Sequence, residues 1–358
     1  MAGGGKTWGD RLFGDPDIAA LFADEAMFDR YLRFEIELAL AVGDCELAPA
    51  ETAKSAVRAM EGFQPDFAAI DAALAKDGLP IPEWVRQLKA HVGGNGESVV
   101  HRGATSQDVI DTATFMACRD ALAILGARLS DLLSALAALR AAENANTLMA
   151  ITRMQPALPV TAGDRIGAWI RPLTTLQVDL AGLRNELSVL QFGGAVGTLG
   201  ALGEAGPRVA DRLAARLSLT WAGLNAHSDR TAIIRFVDLL SRLTGALGKI
   251  GQDVAMMALR GKADISLSGG GGSSAMPHKQ NPVGAEMLVT LARHNATLIS
   301  GIHQALVHEQ ERSGAAWSLE WLLVPRMAEA AGAALNAALA LIGSIESVGE
   351  PPAGGGQS

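Results

Sequence analysis

An apolar spacing of three and four residues, sustained far beyond an ordinary helix, most limits what this chain can become. Ile166, Trp169, Leu173, Leu176, Leu180, Leu183, Leu187 and Leu190 follow it without a break, and Ile233, Val237, Leu240, Leu243, Leu247, Ile250, Val254 and Met257 repeat it. An α-helix turns once in about 3.6 residues, so such positions share one stripe, whereas a strand, with a period of two, cannot use them. Related patterns over residues 107–147, 162–191, 231–262, 282–311 and 319–347 predict five long helices. Spacings of this kind form the seam of a bundle. At a rise of about 1.5 Å, thirty residues make a rod of about 45 Å. Rods that long seldom cover their apolar faces inside one subunit, so a homo-oligomer is expected. The core they must fill is aliphatic, because hydrophobic residues reach 49% while aromatics are only 4%. An all-α fold with close helix contacts follows.

Before the first rod, residues 1–96 read as a smaller N-terminal helical domain. Leu32, Ile36 and Leu40 recur at helical spacing over 28–42, shorter segments follow at 52–60, 66–75 and 84–91, and Gly93, Gly94 and Gly96 close the region. Residues 97–347 hold the bundle and every candidate site, and 348–358 have the composition of a disordered tail. A net charge of −8 without any Lys/Arg block argues against nucleic acid as a partner. Cys45 and Cys118 stand far apart without metal-ligand spacing, so they read as buried thiols and no metal is expected. The first fifteen residues lack a signal-peptide core, and no unbroken apolar run reaches about eighteen residues. The expectation is a cytoplasmic protein with no membrane partner.

Four stretches carry chemistry-bearing residues. In residues 269–282, GGGGSSAMPHKQNP, four glycines allow positive φ and close approach to a ligand, while Asn281 and Pro282 have the form of a helix N-cap and N1. Lys279 then lies near the positive end of a helix, where an anion is favoured. A glycine linker leading into a helix is the plain structural alternative. In 101–112, HRGATSQDVIDT, Thr105 and Asp108 have capping-box spacing, and His101, Arg102, Thr105 and Ser106 offer donors at the same helix start. Residues 152–163, TRMQPALPVTAG, place Arg153 and Gln155 in a proline-confined extended connection, and AHSDR at 226–230 places His227 and Arg230 just before the third rod.

The string GSSAMPHKQNP at 272–282 resembles the signature loop, GSSxMPxKxNP, of the fumarase/aspartase superfamily. That resemblance implies Ser273 as the catalytic proton carrier, with Lys279 and Asn281 on a substrate carboxylate. HRGATSQD is similar to the HxGxTSxD string of the branch containing adenylosuccinate lyase, and TRMQPALP to the GRTHxQxAxP region, which implies Gln155 as a substrate ligand. Arg153 stands where adenylosuccinate lyases carry a proton-transferring histidine. An arginine does not titrate but suits a carboxylate, which favours a substrate richer in carboxylates. AHSDR, and HEQERSGAAWSLEW at 308–321, resemble elements of the bacterial 3-carboxy-cis,cis-muconate cycloisomerases, the second being their turn between the fourth and fifth helices, where Trp317 and Trp321 are expected to pack. The resemblance implies a helical subunit with a central five-helix bundle and a homotetramer whose sites draw on three subunits. It further implies a small-molecule tricarboxylate substrate and a cofactor-independent cycloisomerase of protocatechuate breakdown, the β-ketoadipate pathway. Most members continue into a further small C-terminal domain, which is largely missing from this sequence. The alternatives are a carbon–nitrogen lyase of the same superfamily and a non-catalytic helical scaffold.

Overall fold

Asp15 and Pro16 open the first buried helix. Proline fills N1, where no N–H partner is needed, and the Asp15 carboxylate accepts from Ile18 N at 3.0 Å. In the computed structural model, which describes residues 7–223, 226–272, 276 and 280–352, the N-terminal layer comprises α1 (Trp8–Phe13), α2 (Pro16–Leu21), α3 (Asp24–Asp44), α4 (Ala50–Met60), α5 (Phe67–Asp77) and α6 (Ile81–Val92). The first rod, α7 (Ser106–Glu143), leads through a hairpin of β1 (Thr147–Thr152) and β2 (Gln155–Thr161) into α8 (Ala162–Glu186). A short α9 (Gly206–Leu217) intervenes before α10 (Thr231–Arg260), and β3 (Ile265–Leu267) follows it. After β4 (Gly271–Gly272) and β5 (Gln280–Asn281) come α11 (Val283–Gln304), α12 (Gly314–Gly343) and β6 (Ile345–Val348). The five long helices stand where the spacing predicts them, differing mainly at their ends.

The rods alternate in direction, which gives the subunit two chemically different ends. At one end Arg230, which precedes α10, pairs with Asp111 near the start of α7 and with Glu320 near the start of α12. At the other, β3 pairs with β6 (Ile265 opposite Val348), and Thr147 N donates to Glu350 O at 2.8 Å. Close approach of α10 and α11 needs glycine. A Cβ on Gly251 would stand 2.5 Å from the Ala285 carbonyl oxygen, and one on Gly248 2.5 Å from the Ala292 Cβ. Over an eighteen-residue window α7 is apolar enough to cross a membrane by length and composition. Its Leu122, Leu125, Leu129, Leu132 and Leu136 instead fill the bundle core.

Three features differ from the sequence reading. The proline-rich connection before α8 is extended but doubles back as a hairpin, with Arg153 and Met154 at its turn, both at positive φ (47° and 66°). Both strands are edges, so Pro156 and Pro159 remove few ladder bonds. Residues 348–350, which composition assigns to the tail, are instead held to the fold. Val348 is paired, Gly349 N donates to Asp264 O at 2.9 Å, and Glu350 bridges to Thr147. Residues 353–358 lie outside the described part. The apolar core of the N-terminal layer is not confined to residues 1–96 either. It takes in Val109, Ile110 and Met116 of α7, Leu190 and Phe192, and Val209, Leu213 and Leu217 of α9.

Candidate active site

At the start of α7 the predicted donors and three other parts of the chain meet. Thr105 is the N-cap and Ser106 the first helical residue. The expected box is present, with Thr105 N donating to Asp108 Oδ2 at 2.9 Å. Asp108 does more than cap. Fully buried, it also accepts from Gly193 N at 2.8 Å, Gly194 N at 3.0 Å and His227 Nε2 at 2.7 Å. One carboxylate ties the loop after α8 and the segment before α10 to a helix start whose dipole favours its charge. His227, one of the candidate residues, is only 1% exposed, and its Nε2 is engaged with Asp108.

Beneath it, Asp111 receives Arg230 Nη1 at 2.6 Å and Trp317 Nε1 at 2.8 Å. Arg230 forks onto Glu320 as well, Nε to Oε1 at 2.8 Å and Nη2 to Oε2 at 2.5 Å. Burial works against charge on this guanidinium, but Asp111 and Glu320 outweigh it and raise its pKa. Glu320 is itself pushed up, because burial exceeds the help it draws from Arg230. Arg230, the other candidate in AHSDR, is therefore held in this structure by two protein carboxylates. Trp317 and Trp321 lie on α12 itself, one turn apart, and meet edge-on with ring centroids 4.6 Å apart.

Arg312 is the cation that sequence reasoning missed. From the turn between α11 and α12 its Nε donates to Gln107 Oε1 at 2.7 Å and its Nη2 to Ala195 O at 3.2 Å. Gln107 reaches on to the His227 carbonyl at 2.8 Å. The available signal was position: Arg312 directly precedes Ser313, whose hydroxyl caps α12 by accepting from Ala316 N. Among the described residues neither Arg312 nor Arg102 pairs with a carboxylate, and both are partly exposed. His101 completes this end. Its φ is 58°, and Glu35 of α3 accepts from both its backbone N (2.7 Å) and its Nδ1 (2.6 Å). Burial would lower the imidazole pKa, but the Glu35 and Asp108 charges more than offset that and raise it.

Three further candidates, Arg153, Gln155 and Asn281, sit at the opposite end. Arg153 and Gln155 are exposed around the hairpin turn. Asn281 is not the N-cap of α11, which is Pro282. It pairs with Gly271 instead and lines a cleft of ≈ 550 Å³ with Lys262, Ser266 and Gly269. Ser273 and Lys279 lie outside the described residues. Because α7 alone has 38 residues, about 57 Å of helix at about 1.5 Å per residue separates the two groups. A single subunit does not bring them together.

A bundle of five alternating rods with buried carboxylates bracing one end, and a glycine-rich crossover at the other, is the build of a helical lyase. The chain belongs to the lyase family, whose sequence profile matches residues 14–295. It is 32% identical over 343 residues to the 3-carboxy-cis,cis-muconate cycloisomerase of Acinetobacter baylyi, covering 94% of this chain and 76% of that one. The 3-carboxy-cis,cis-muconate lactonizing enzyme from Pseudomonas putida superposes with a TM-score of 0.88 at 32% identity, over 96% of this chain and 77% of that one. A fumarate lyase from Mesorhizobium sp. BNC1 gives 0.87 at 30% identity, over 95% and 77%.

Proposed function

We propose that the chain is a cycloisomerase that interconverts 3-carboxy-cis,cis-muconate and 4-carboxymuconolactone. The observation that carries this reading is two guanidinium groups near the start of α7, Arg102 next to His101 in the chain and Arg312 bonded to Gln107, neither of which pairs with a carboxylate among the described residues. Such a cluster suits a substrate with several carboxylates. The likeness to enzymes named for 3-carboxymuconate supports the same choice.

In the forward direction one carboxylate oxygen adds across a carbon–carbon double bond, and the adjacent carbon, conjugated to another carboxylate, takes a proton. Ser273 is proposed as the proton carrier. In reverse it removes that proton while negative charge grows on the neighbouring carboxylate, and the ring carboxylate leaves. Lys279, Asn281 and Gln155 are proposed ligands from the loop and hairpin end, with His101, Arg102, Thr105, Ser106 and Arg312 from the other. The leaving group is a carboxylate, a weak base, so this route asks for no second acid.

Complete sites then require other copies of the chain. Exposed apolar residues along the rods, among them Val178, Leu259 and Leu322 at 70%, 87% and 60%, support burial against further subunits, for which a tetramer is the proposed form. A cytoplasmic protein acting on a small tricarboxylate, away from nucleic acid and membrane, fits this reading. The test is ultraviolet spectrophotometry with 3-carboxymuconate, adenylosuccinate and argininosuccinate in parallel. Turnover of the first alone, abolished in Ser273→Ala without loss of assembly, is the expected result. Turnover of a succinyl adduct in its place overturns it in favour of a carbon–nitrogen lyase.

A further inference from the structure

His101 holds a left-handed backbone, which a residue with a Cβ adopts only when its surroundings impose it. The constraint comes from one side chain. Glu35 is fully buried on the same helical face as Tyr31, Phe34 and Leu38, in a position where an ionised carboxylate without partners would be costly. Both its oxygens are used on His101, Oε2 by the backbone N–H and Oε1 by Nδ1. A carboxylate on Nδ1 leaves Nε2 as the ring's only other polar atom.

We propose that Glu35 is a positioning residue of the site: it holds His101 in its strained conformation and keeps the imidazole cationic, so that Nε2–H donates to a substrate carboxylate. Glu35 itself has no access to substrate. The inference rests on the proposed tricarboxylate reading and deepens it by assigning the device that sets one receptor's charge. The direction of the His101 pKa agrees. The charged groups facing it are Glu35 from α3 and Asp108 from α7, which favour the cation, and Lys89 from α6, which opposes it. A neutral His101 still donating from Nδ1 to Glu35 would offer a lone pair at Nε2 and repel a carboxylate. Binding should weaken as pH rises through the His101 pKa.

The test uses the full chain. Nitrogen-15 NMR of the imidazole follows His101 in the unaltered protein, in Glu35→Gln and in Glu35→Asp. The expected midpoint lies above the ordinary 6.5 in the unaltered protein and falls in Glu35→Gln, which keeps an acceptor but not its charge. With 3-carboxymuconate, Glu35→Gln should raise KM by about tenfold near pH 7.5, the size of a lost charge-assisted hydrogen bond, with kcat changed less than about twofold. That difference should shrink at lower pH, and Glu35→Asp should recover part of it. An unchanged midpoint in Glu35→Gln, or a KM that moves with no pH dependence, overturns the inference. If Glu35→Gln fails to fold, the pH dependence of KM in the unaltered protein decides, a flat profile counting against it. Failure of the unaltered protein to turn over 3-carboxymuconate strikes the proposed function, and the titrations then decide the role of Glu35 by themselves.

Discussion

Arg230 and Asp111 meet at 2.6 Å with side chains only 2% and 1% exposed, so each neutralises the other in the interior next to the candidate site. With Glu320 they lock the starts of α7, α10 and α12 together. Breaking such a group leaves uncompensated charge in the interior.

Arg230→Ala is expected to destabilise the fold by about 3–5 kcal/mol, the range for removing one partner from a buried ion pair. Denaturant midpoints measure this. The triple replacement Arg230→Met, Asp111→Leu and Glu320→Leu should recover part of the loss, since it leaves no carboxylate stranded. A small effect of Arg230→Ala on stability accompanied by a large effect on KM would mean that Arg230 leaves the network to meet substrate.

Arg312 should behave in the opposite manner. It is partly exposed and gives neutral acceptors only two of its guanidinium nitrogens. Arg312→Ala is expected to raise KM for the tricarboxylate by about 10- to 100-fold, from the loss of one charge-assisted contact, with little change in unfolding. Arg312→Lys keeps the charge but loses the fork that spans Gln107 and Ala195, so only partial recovery is expected. Steady-state kinetics beside circular dichroism separates the two effects.

The rods were legible because a stripe of leucines at helical spacing is a local signal, and in α8 the positions from Ile166 to Leu183 are all buried as it implies. The Thr105–Asp108 box was legible for the same reason. What lay beyond reach was convergence. Nothing local about Asp108 says that Gly193, Gly194 and His227 will share it, or that Arg230 will be consumed from two directions. Arg153 and Met154 hid the hairpin, because residues with side chains at positive φ leave no turn signature of the Asn-Gly kind. Glu35 was hidden by its apolar neighbours, which make α3 read as simple core.

His308, in the turn that carries Arg312, has its pKa lowered by burial and then by the charge of Arg230. A base with a depressed folded pKa stabilises the fold as the neutral form. Its contribution is present above the ordinary 6.5 and is lost as pH falls from there toward the folded value. His101 has the opposite sign, so the variant comparison is the clean one. Urea midpoints for the unaltered protein and His308→Asn, taken at about pH 7.5 and 5.5, should converge at the lower pH as the native histidine becomes a liability. Parallel lines at both pH values would refute the assignment.

About 57 Å of α7 stands between His101 and the hairpin bearing Gln155, which makes subunit exchange a direct probe of how sites are built. His101→Asn and Gln155→Ala should each be nearly inactive alone. If a working site takes its His101 end from one subunit and its hairpin from another, mixed oligomers will contain sites with both unaltered. Random reassembly of an equal mixture leaves roughly one site in four in that condition. Co-refolding the two variants should therefore restore about a quarter of the native rate per site, while mixing them without dissociation restores little. A site contained within one subunit predicts no recovery from any mixture, because every copy would carry its own defect. The same experiment with Ser273→Ala in place of Gln155→Ala reports on the loop, and recovery there would require that the loop and His101 come from different copies.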